Sequence, residues 1–349
     1  VSKVTFSDPP RLVGARAIGD FATTMFRAVG CPEAAAREIA DHLVEAELSG
    51  VPSHGVDRIL QYVEEFRSGK RDPRAVARVF RGERGGWIVD GGNGNGIGPM
   101  RLALADGCRR AQDAGLSVTA LINAGHTGRL GAFCEESAEA GVMTIVIGGG
   151  GRREWPQVAP HGGRAGLLPT NPYAIGVPGG DRGPVILDFA TSAIAGGWIY
   201  AARHGEGTLP PGAVIDRDGN PTRDPEDYFN GGAILPAAGP KGYALALVAE
   251  VIGEAMLGPV DGELNWLVLS IDTGLYAAPT ALRATAESLL AEVRAAPPAP
   301  GVARVEVPGE RERDLFRASG GLDGGTVRVP ARTWTMMSAL AGEVGVAVP

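Results

Sequence analysis

Apolar residues recur every three or four positions over residues 14–29 and again over 32–49, the spacing that buries one face of a helix. Pro32 suits the first position of the second helix, where the donor it lacks would go unpaired anyway. A third helical pattern runs from His54 to Gly69, and the three predict a helical N-terminal lobe over 1–75. Residues 76–90 then read as strands around a charged turn at Arg81–Arg84, leading into the glycine-rich stretch Gly91–Gly98. Beyond it the period alternates: a helix over 100–114, a strand over 116–122, a helix over 129–140, a strand over 142–148 and a short apolar strand over 184–189. That alternation predicts an α/β core with its strand order left open.

A polar, turn-rich excursion covers Pro210–Gly231 within 207–232, a lid or an interface loop by its length. Lys241-Gly242-Tyr243 begins a long apolar helix to Leu257, followed by a strand over Asn265–Ile271 and a helix over Thr280–Ala295. Pro297, Pro298 and Pro300 stop that helix before a strand expected at Val302–Val307. The α/β domain therefore runs over 76–310. A strand at Thr326–Pro330 and a helix at Trp334–Glu343 place the segment 311–349 back against the helical lobe.

Composition narrows the class of function. A net charge of −7 with both signs interspersed leaves no basic field for nucleic acid or for an anionic membrane. No stretch approaches eighteen uninterrupted apolar residues and the N-terminus carries no secretion core, so cytoplasmic residence is expected. Cys31, Cys108 and Cys134 have neither paired nor metal-ligand spacing and read as ordinary buried thiols. The five histidines form no compact ligand motif, so no metal site is expected.

Candidate chemistry gathers at two places. Ser53-His54-Gly55 opens a pattern that also carries Arg58 and Tyr62, which on one helix would share a stripe. An imidazole moves a proton near neutral pH and a guanidinium fork grips a carboxylate, so the trio suits a small acid; a solubilising surface face is the plain alternative. The segment Asn123–Arg129 follows an apolar strand and precedes a helix, so its backbone donors around His126, the Thr127 hydroxyl, Gly128 and the Arg129 charge could receive an anionic cofactor group, or simply turn the chain. Gly91–Gly98 completes GxGxxG in no register, and the dinucleotide fingerprint of Rossmann folds is absent.

Several ordered motifs extend this picture: Gly50-Val51-Pro52-Ser53-His54-Gly55 with Arg58, Gly125-His126-Thr127-Gly128-Arg129, Pro169-Thr170-Asn171-Pro172, Leu187-Asp188-Phe189-Ala190-Thr191-Ser192, Leu209-Pro210-Pro211-Gly212, Gly219–Pro225 and Gly239-Pro240-Lys241-Gly242-Tyr243. In number and order they resemble the type 2 malate/L-lactate dehydrogenase family, which includes L-sulfolactate dehydrogenases and cyclic imino-acid reductases, across almost the whole chain. The resemblance implies a non-Rossmann α/β fold binding NAD or NADP, a homodimer whose partner helps close the site, and oxidation or reduction of a small 2-hydroxy or 2-oxo acid. It implies His54 as the acid/base, charged before reduction begins, Arg58 as the carboxylate clamp and Asp188 as support for the catalytic network. His126, Thr170, Asn171, Thr191 and Lys241 would line or support the cleft. Asp188 also reads as a helix-capping carboxylate, Lys241 as a surface residue, and Thr170 and Asn171 as organisers of their turn.

Three departures from the family pattern bear on the reaction. A basic residue is commonly found where this chain has Ala195-Gly196-Gly197-Trp198; Gly148–Gly151 supplies no side-chain hydrogen bond before Arg152 and Arg153; and Trp266 offers a flat apolar surface beside the substrate. The glycine run is expected either to widen a pocket or to mark altered cofactor binding, with the arginines taking another contact. A cyclic imino-acid reductase, or a ligand-binding or assembly protein without redox activity, stand as the alternatives.

Overall fold

The computed structural model describes residues 10–204 and 207–349; residues 1–9, part of the stretch read for a secretion signal, lie outside it. Strand β1 (Arg11–Gly14) leads into helices α1 (Ala15–Ala28), α2 (Glu33–Leu48) and α3 (Arg58–Arg67). The predicted periods are realised: α1 buries Ile18, Phe21, Ala22, Met25 and Phe26 against Ile39, Ala40, Leu43 and Val44 of α2. Pro32 caps α2 rather than occupying its first turn.

The third pattern breaks where the sequence carries Pro52 and Gly55. Pro52–His54 forms a single 3-10 turn, Gly55 is extended (φ −93°, ψ −149°), and α3 starts only at Arg58. His54, Arg58 and Tyr62 therefore do not share a helical stripe.

The centre is a seven-stranded mixed sheet. Its strands are β2 (Arg78–Arg81), β3 (Trp87–Gly94), β4 (Leu116–Ala124), β5 (Val142–Gly149), β6 (Pro172–Gly180), β7 (Gly183–Ala190) and β11 (Leu264–Asp272), in the order β2-β3-β4-β11-β5-β6-β7. Only β3 and β4 run parallel, joined by the crossover helix α4 (Ile97–Ala114); every other neighbour is antiparallel. This is α/β by content, but not the parallel doubly wound sheet of a Rossmann enzyme. Helix α5 (Leu130–Glu139) packs on β5, β6 and β7, and one apolar core runs from α1–α3 through α4 into the sheet. Strand β6 lies in a stretch whose Gly and Pro residues hide it from periodicity.

Beyond the sheet, α6 (Gly196–His204) leads into the excursion, which is neither featureless nor unpacked. It forms β8 (Val214–Ile215), β9 (Pro221–Thr222), α7 (Pro225–Phe229) and β10 (Ala233–Ile234) around a second core of Val158, Leu168, Ile199, Leu209, Val214, Ile234 and Ala246. Helix α8 (Pro240–Glu250) continues as a π-helical stretch, Val251–Met256. Helix α9 (Pro279–Ala295) packs on β6.

The strand expected at Val302–Val307 does not form. The chain touches the sheet edge through one bond, Ile186 N–H to Pro308 O, and then starts α10 (Glu310–Ser319). After α11 (Gly321–Gly324), strand β12 (Thr326–Val329) pairs antiparallel with β1, and α12 (Ala331–Glu343) packs on α3. Among the described residues no helix is long and apolar enough to cross a membrane.

Candidate active site

A cavity of about 700 Å³ opens where the 3-10 turn and α3, the turn after β4, the end of β7, the start of α6 and the 306–312 segment converge. His54, Arg58, His126, Thr127, Gly128, Arg129, Thr170, Asp188 and Trp266 all line it. The histidine and arginine that the sequence placed on one helix meet by another route. Ser53 Oγ lies 3.1 Å from His54 Nδ1, and Arg58 Nε donates to Ser53 O at 2.9 Å, so the short turn itself spaces the two groups. Arg58 Nη1 donates to Gln61 Oε1 at 2.6 Å.

Tyr62 is buried and reaches His126 instead, its hydroxyl 2.6 Å from Nδ1. The Gly128 N–H points at the same nitrogen, 3.2 Å away. With a backbone donor fixed there, Nδ1 is an acceptor and the ring proton belongs on Nε2. The His54 and His126 rings stack with centroids 5.3 Å apart. Burial, reinforced by the positive charges of Arg58 and Arg129, drives His54 down to about 3; burial and Arg58 also hold His126 well below its ordinary value. At neutral pH both imidazoles are therefore uncharged in the open site, so the charge expected on His54 for reduction has to be acquired before the proton is given.

The turn carrying His126 is rigid for identifiable reasons. Gly128 has φ +70°, and a Cβ there would sit 2.3 Å from His42 Nε2. That nitrogen accepts the Arg129 N–H at 2.9 Å, and the His42 ring stacks on Phe133. The buried Arg129 guanidinium is tied to Glu45 at 2.6 Å, so although it lines the cavity its charge is largely answered from within the chain. Asp188, on β7, accepts the Gly131 N–H at 2.7 Å at the start of α5, the capping role read as its alternative. It is open to the cavity but hemmed in by protein elsewhere; desolvation raises its carboxyl, opposed by Gly131 and Arg129.

Three of the residues expected at the cleft are not on its wall. Asn171 is fully buried, donating to Glu250 Oε1 at 2.7 Å; Thr191 is buried, its hydroxyl donating to Thr170 O at 3.0 Å; Lys241 is exposed at the start of α8. The first two shape the site by fixing the strand start beside Thr170. The structure also adds wall residues that sequence reasoning missed: Gln61, Trp155, Gln157, Tyr200, Glu263 and the 306–312 segment. Gln61 could have been found as the i+3 partner of Arg58. The rest carry no local signal, since they join the cavity only through tertiary contacts.

The departures acquire a physical meaning. Gly148 pairs directly with Trp266 across β5 and β11, and a Cβ on it would stand 2.5 Å from the indole. Gly149 and Gly253 pack backbone to backbone: a Cβ on Gly149 would meet Ala249 O at 1.9 Å, and one on Gly253 the Gly149 carbonyl carbon at 2.1 Å. Glu250 then accepts from Gly150 N (2.7 Å) and Arg152 N (3.2 Å), while the Arg152 side chain pairs with Glu254 at 2.6 Å. The glycine run is a seat for Trp266 and the π-helical stretch. At Gly197 a Cβ would lie 2.8 Å from Arg58 Nη2, so the missing side chain makes room for the clamp.

The family model described as malate/L-lactate dehydrogenase matches residues 13–338. Hydroxycarboxylate dehydrogenase B of Escherichia coli is 36% identical over 250 residues, covering 70% of this chain and 68% of that protein. The Delta(1)-pyrroline-2-carboxylate/Delta(1)-piperideine-2-carboxylate reductase of Pseudomonas putida is 35% identical over 242 residues, 69% of each chain. The solved malate dehydrogenase of Pyrococcus horikoshii superposes with a TM-score of 0.85 at 26% identity, covering 99% of both chains. The chain is an oxidoreductase and belongs to the malate/L-lactate dehydrogenase family.

Proposed function

We propose that this protein transfers hydride to or from the carbon next to a substrate carboxylate, interconverting a small 2-oxo acid and its 2-hydroxy acid. The observation that carries the reading is the convergence of His54, His126 and Arg58 on one cavity wall. The family implies a nicotinamide cofactor, and the wall suits one. At about 700 Å³ the cavity has room for more than a small acid. Its wall offers flat rings at Trp155 and Tyr200 and a stretch at Gly196-Gly197 where an added Cβ would strike Gln157 and Arg58. The His126–Arg129 turn, Thr170 and the Leu187–Ala190 end of β7 would hold it, and when bound it supplies or accepts the hydride.

Arg58 has Nε and one hydrogen of Nη1 committed to Ser53 and Gln61, leaving its outer edge for an end-on pair with a carboxylate. His54, neutral and held at Nδ1 beside Ser53, keeps Nε2 to take the hydroxyl proton during oxidation. Reduction runs through the protonated ring. A carboxylate seated on Arg58 cancels the nearest positive charge acting on His54, so substrate binding itself favours that protonation. His126, with its proton on Nε2, is a fixed donor beside the reacting atom. Asp188 acts at one remove by anchoring the start of α5.

A homodimer accords with α8, which is apolar all round and leaves Leu245, Leu247, Val248, Val251 and Met256 exposed on the helix and its π-helical continuation. Light scattering tests it directly.

The activity is tested by calorimetric binding of NADH and of NADPH, followed by absorbance-monitored turnover with pyruvate, oxaloacetate and cyclic imino acids. His54→Ala should nearly abolish oxo-acid turnover while cofactor binding persists; undiminished turnover would refute its role. Arg58→Ala should raise KM for carboxylate substrates, and an equal loss on a substrate without the carboxylate would argue against the clamp.

A further inference from the structure

Glu263 lines the same cavity as Arg58 and the two histidines and feels the Arg58 charge, yet neither the motifs nor the mechanism above employs it. It precedes β11, and its N–H donates to Ala124 O at 2.9 Å, which fixes it beside the turn that carries His126. Its Oε2 is sealed from solvent and has no hydrogen-bond partner. No cation that acts on it is hydrogen-bonded to it: Arg58 donates to Ser53 and Gln61 and keeps its outer edge open, Arg71 Nη1 donates to Asn93 at 2.6 Å while its Nε stays unpaired, and Lys70 pairs with Glu154 at 3.1 Å. Burial, followed by the like charge of Glu65, outweighs those cations and pushes the carboxyl up to about 7. A group in that condition gains from any cation delivered to it in a dry site.

The cavity wall thus carries a fixed positive charge at Arg58, an under-solvated carboxyl at Glu263 and two uncharged imidazoles. We propose that Glu263 is a specificity-determining residue that reads a protonated nitrogen on the substrate, so that the site is complementary to a zwitterion, the carboxylate on Arg58 and the N–H⁺ on Glu263. The inference rests on the hydride-transfer chemistry of that reading and replaces its 2-oxo acid, as preferred substrate, with a cyclic 2-imino acid in its protonated form. The chemistry matches the protonation states. As C2 of the C=N–H⁺ group gains hydride from the reduced nicotinamide, the π pair withdraws onto nitrogen as a lone pair. The resulting secondary amine then takes a proton from water. No proton need leave the protein during the bond change, whereas a 2-oxo acid yields an alkoxide that must draw one from a histidine.

Binding of unreactive ligands isolates recognition from turnover. Proline and pipecolate carry the carboxylate and a ring ammonium; cyclopentanecarboxylate and cyclohexanecarboxylate keep the shape and the carboxylate alone. Calorimetry on the cofactor-loaded protein should show the wild type preferring each amino acid over its carbocycle by roughly tenfold or more, as a charge-assisted hydrogen bond in a desolvated site gives. Glu263→Gln, equal in size, should lose that preference while binding the carbocycles as before. A wild type without the preference, or a Gln variant that keeps it, overturns the role of Glu263. Two further arms separate this from the broader reading. Oxo-acid turnover with carbocycle binding that is lost in Arg58→Ala sustains the hydride-transfer site even if Glu263 proves indifferent. If neither ligand class binds and neither oxo nor imino acids turn over, both readings fall.

Discussion

The pairing of Gly148 with Trp266 makes a quantitative prediction. In Gly148→Ala the new methyl would stand 2.5 Å from Trp266 Cζ3, 2.8 Å from Cε3 and 2.9 Å from Cη2. Ordinary carbon contacts lie near 3.5–4 Å, so the ring must retreat by roughly 1 Å. Trp266 is only 4% exposed and, near the start of β11, is paired on both sides, with Leu121 of β4 and Gly148 of β5, so the retreat is resisted. Such overpacking costs about 1–3 kcal/mol. Alanine also restricts the unfolded chain, which returns about 0.4–1 kcal/mol, since Gly148 has no positive φ to forfeit. A net loss of about 1–2 kcal/mol follows, or roughly 1–3 °C in melting temperature for a chain of 349 residues.

Trp266→Leu alone should cost about 2–3 kcal/mol through lost burial and the gap it leaves. In the double variant the methyl enters that gap, so the two changes should cost about 1–3 kcal/mol less than their sum. Thermal melts of the four proteins give the coupling, and KM gives a second reading, because an indole forced to move changes the wall of the substrate cavity. Effects that add within about 0.5 kcal/mol would refute the steric argument, since separated sites behave that way.

Three further outcomes are expected. Glu250→Ala removes the acceptor for Gly150 N, for the part-buried Arg152 N and for one of the two bonds of Asn171 Nδ2, and should destabilise by roughly 2–3 kcal/mol, at about 1–3 kcal/mol per buried donor left unpaired; a denaturant midpoint close to wild type would contradict this. Gly197→Ala should push Arg58 aside and raise KM for the acid about tenfold with little change in melting temperature, and an unaltered KM would mean that the clamp does not depend on that space. His42 is held down to about 3 from its ordinary 6.5, chiefly by burial, so the unfolded chain binds a proton that the folded one refuses. Its stabilisation is complete above about pH 6.5 and declines as pH falls towards 3, by up to ~1.4 kcal/mol per pH unit. His42→Gln, which still accepts from Arg129 N–H, should flatten the stability profile between pH 4 and 6, and a profile of unchanged slope would rule His42 out as its source.

What could be read from the residue order was whatever depends on short range. Helices α1 and α2 announce themselves because one buried stripe recurs within a few turns, and β4 and β5 because their apolar runs are bounded by turns. Strand β6, with Gly176, Pro178, Gly179 and Gly180, carries its pairing information in its neighbours rather than in its own residues. The stretch at 302–307 has strand-like residues and runs towards the free edge of β7, yet its only bond to that edge is made at Pro308. Propensity alone could decide neither.

The same division runs through the site. His54, Arg58, His126 and Asp188 came with motifs, yet the motifs misjudged how the first two meet, because Pro52 and Gly55 override the helical period. Glu263 was invisible: a carboxylate before a strand has no signature until tertiary packing strips its water away. The glycine run and Trp266 show why the unusual positions were the hardest to interpret. Read singly, four glycines looked like a loss of contacts and the tryptophan like an addition. Strand register makes Gly148 and Trp266 one feature, and the backbone contact between Gly149 and Gly253 seats the π-helical stretch behind it. A family member that put the indole against its substrate wall had to give up the Cβ beneath it, so the two departures are expected to change together or not at all.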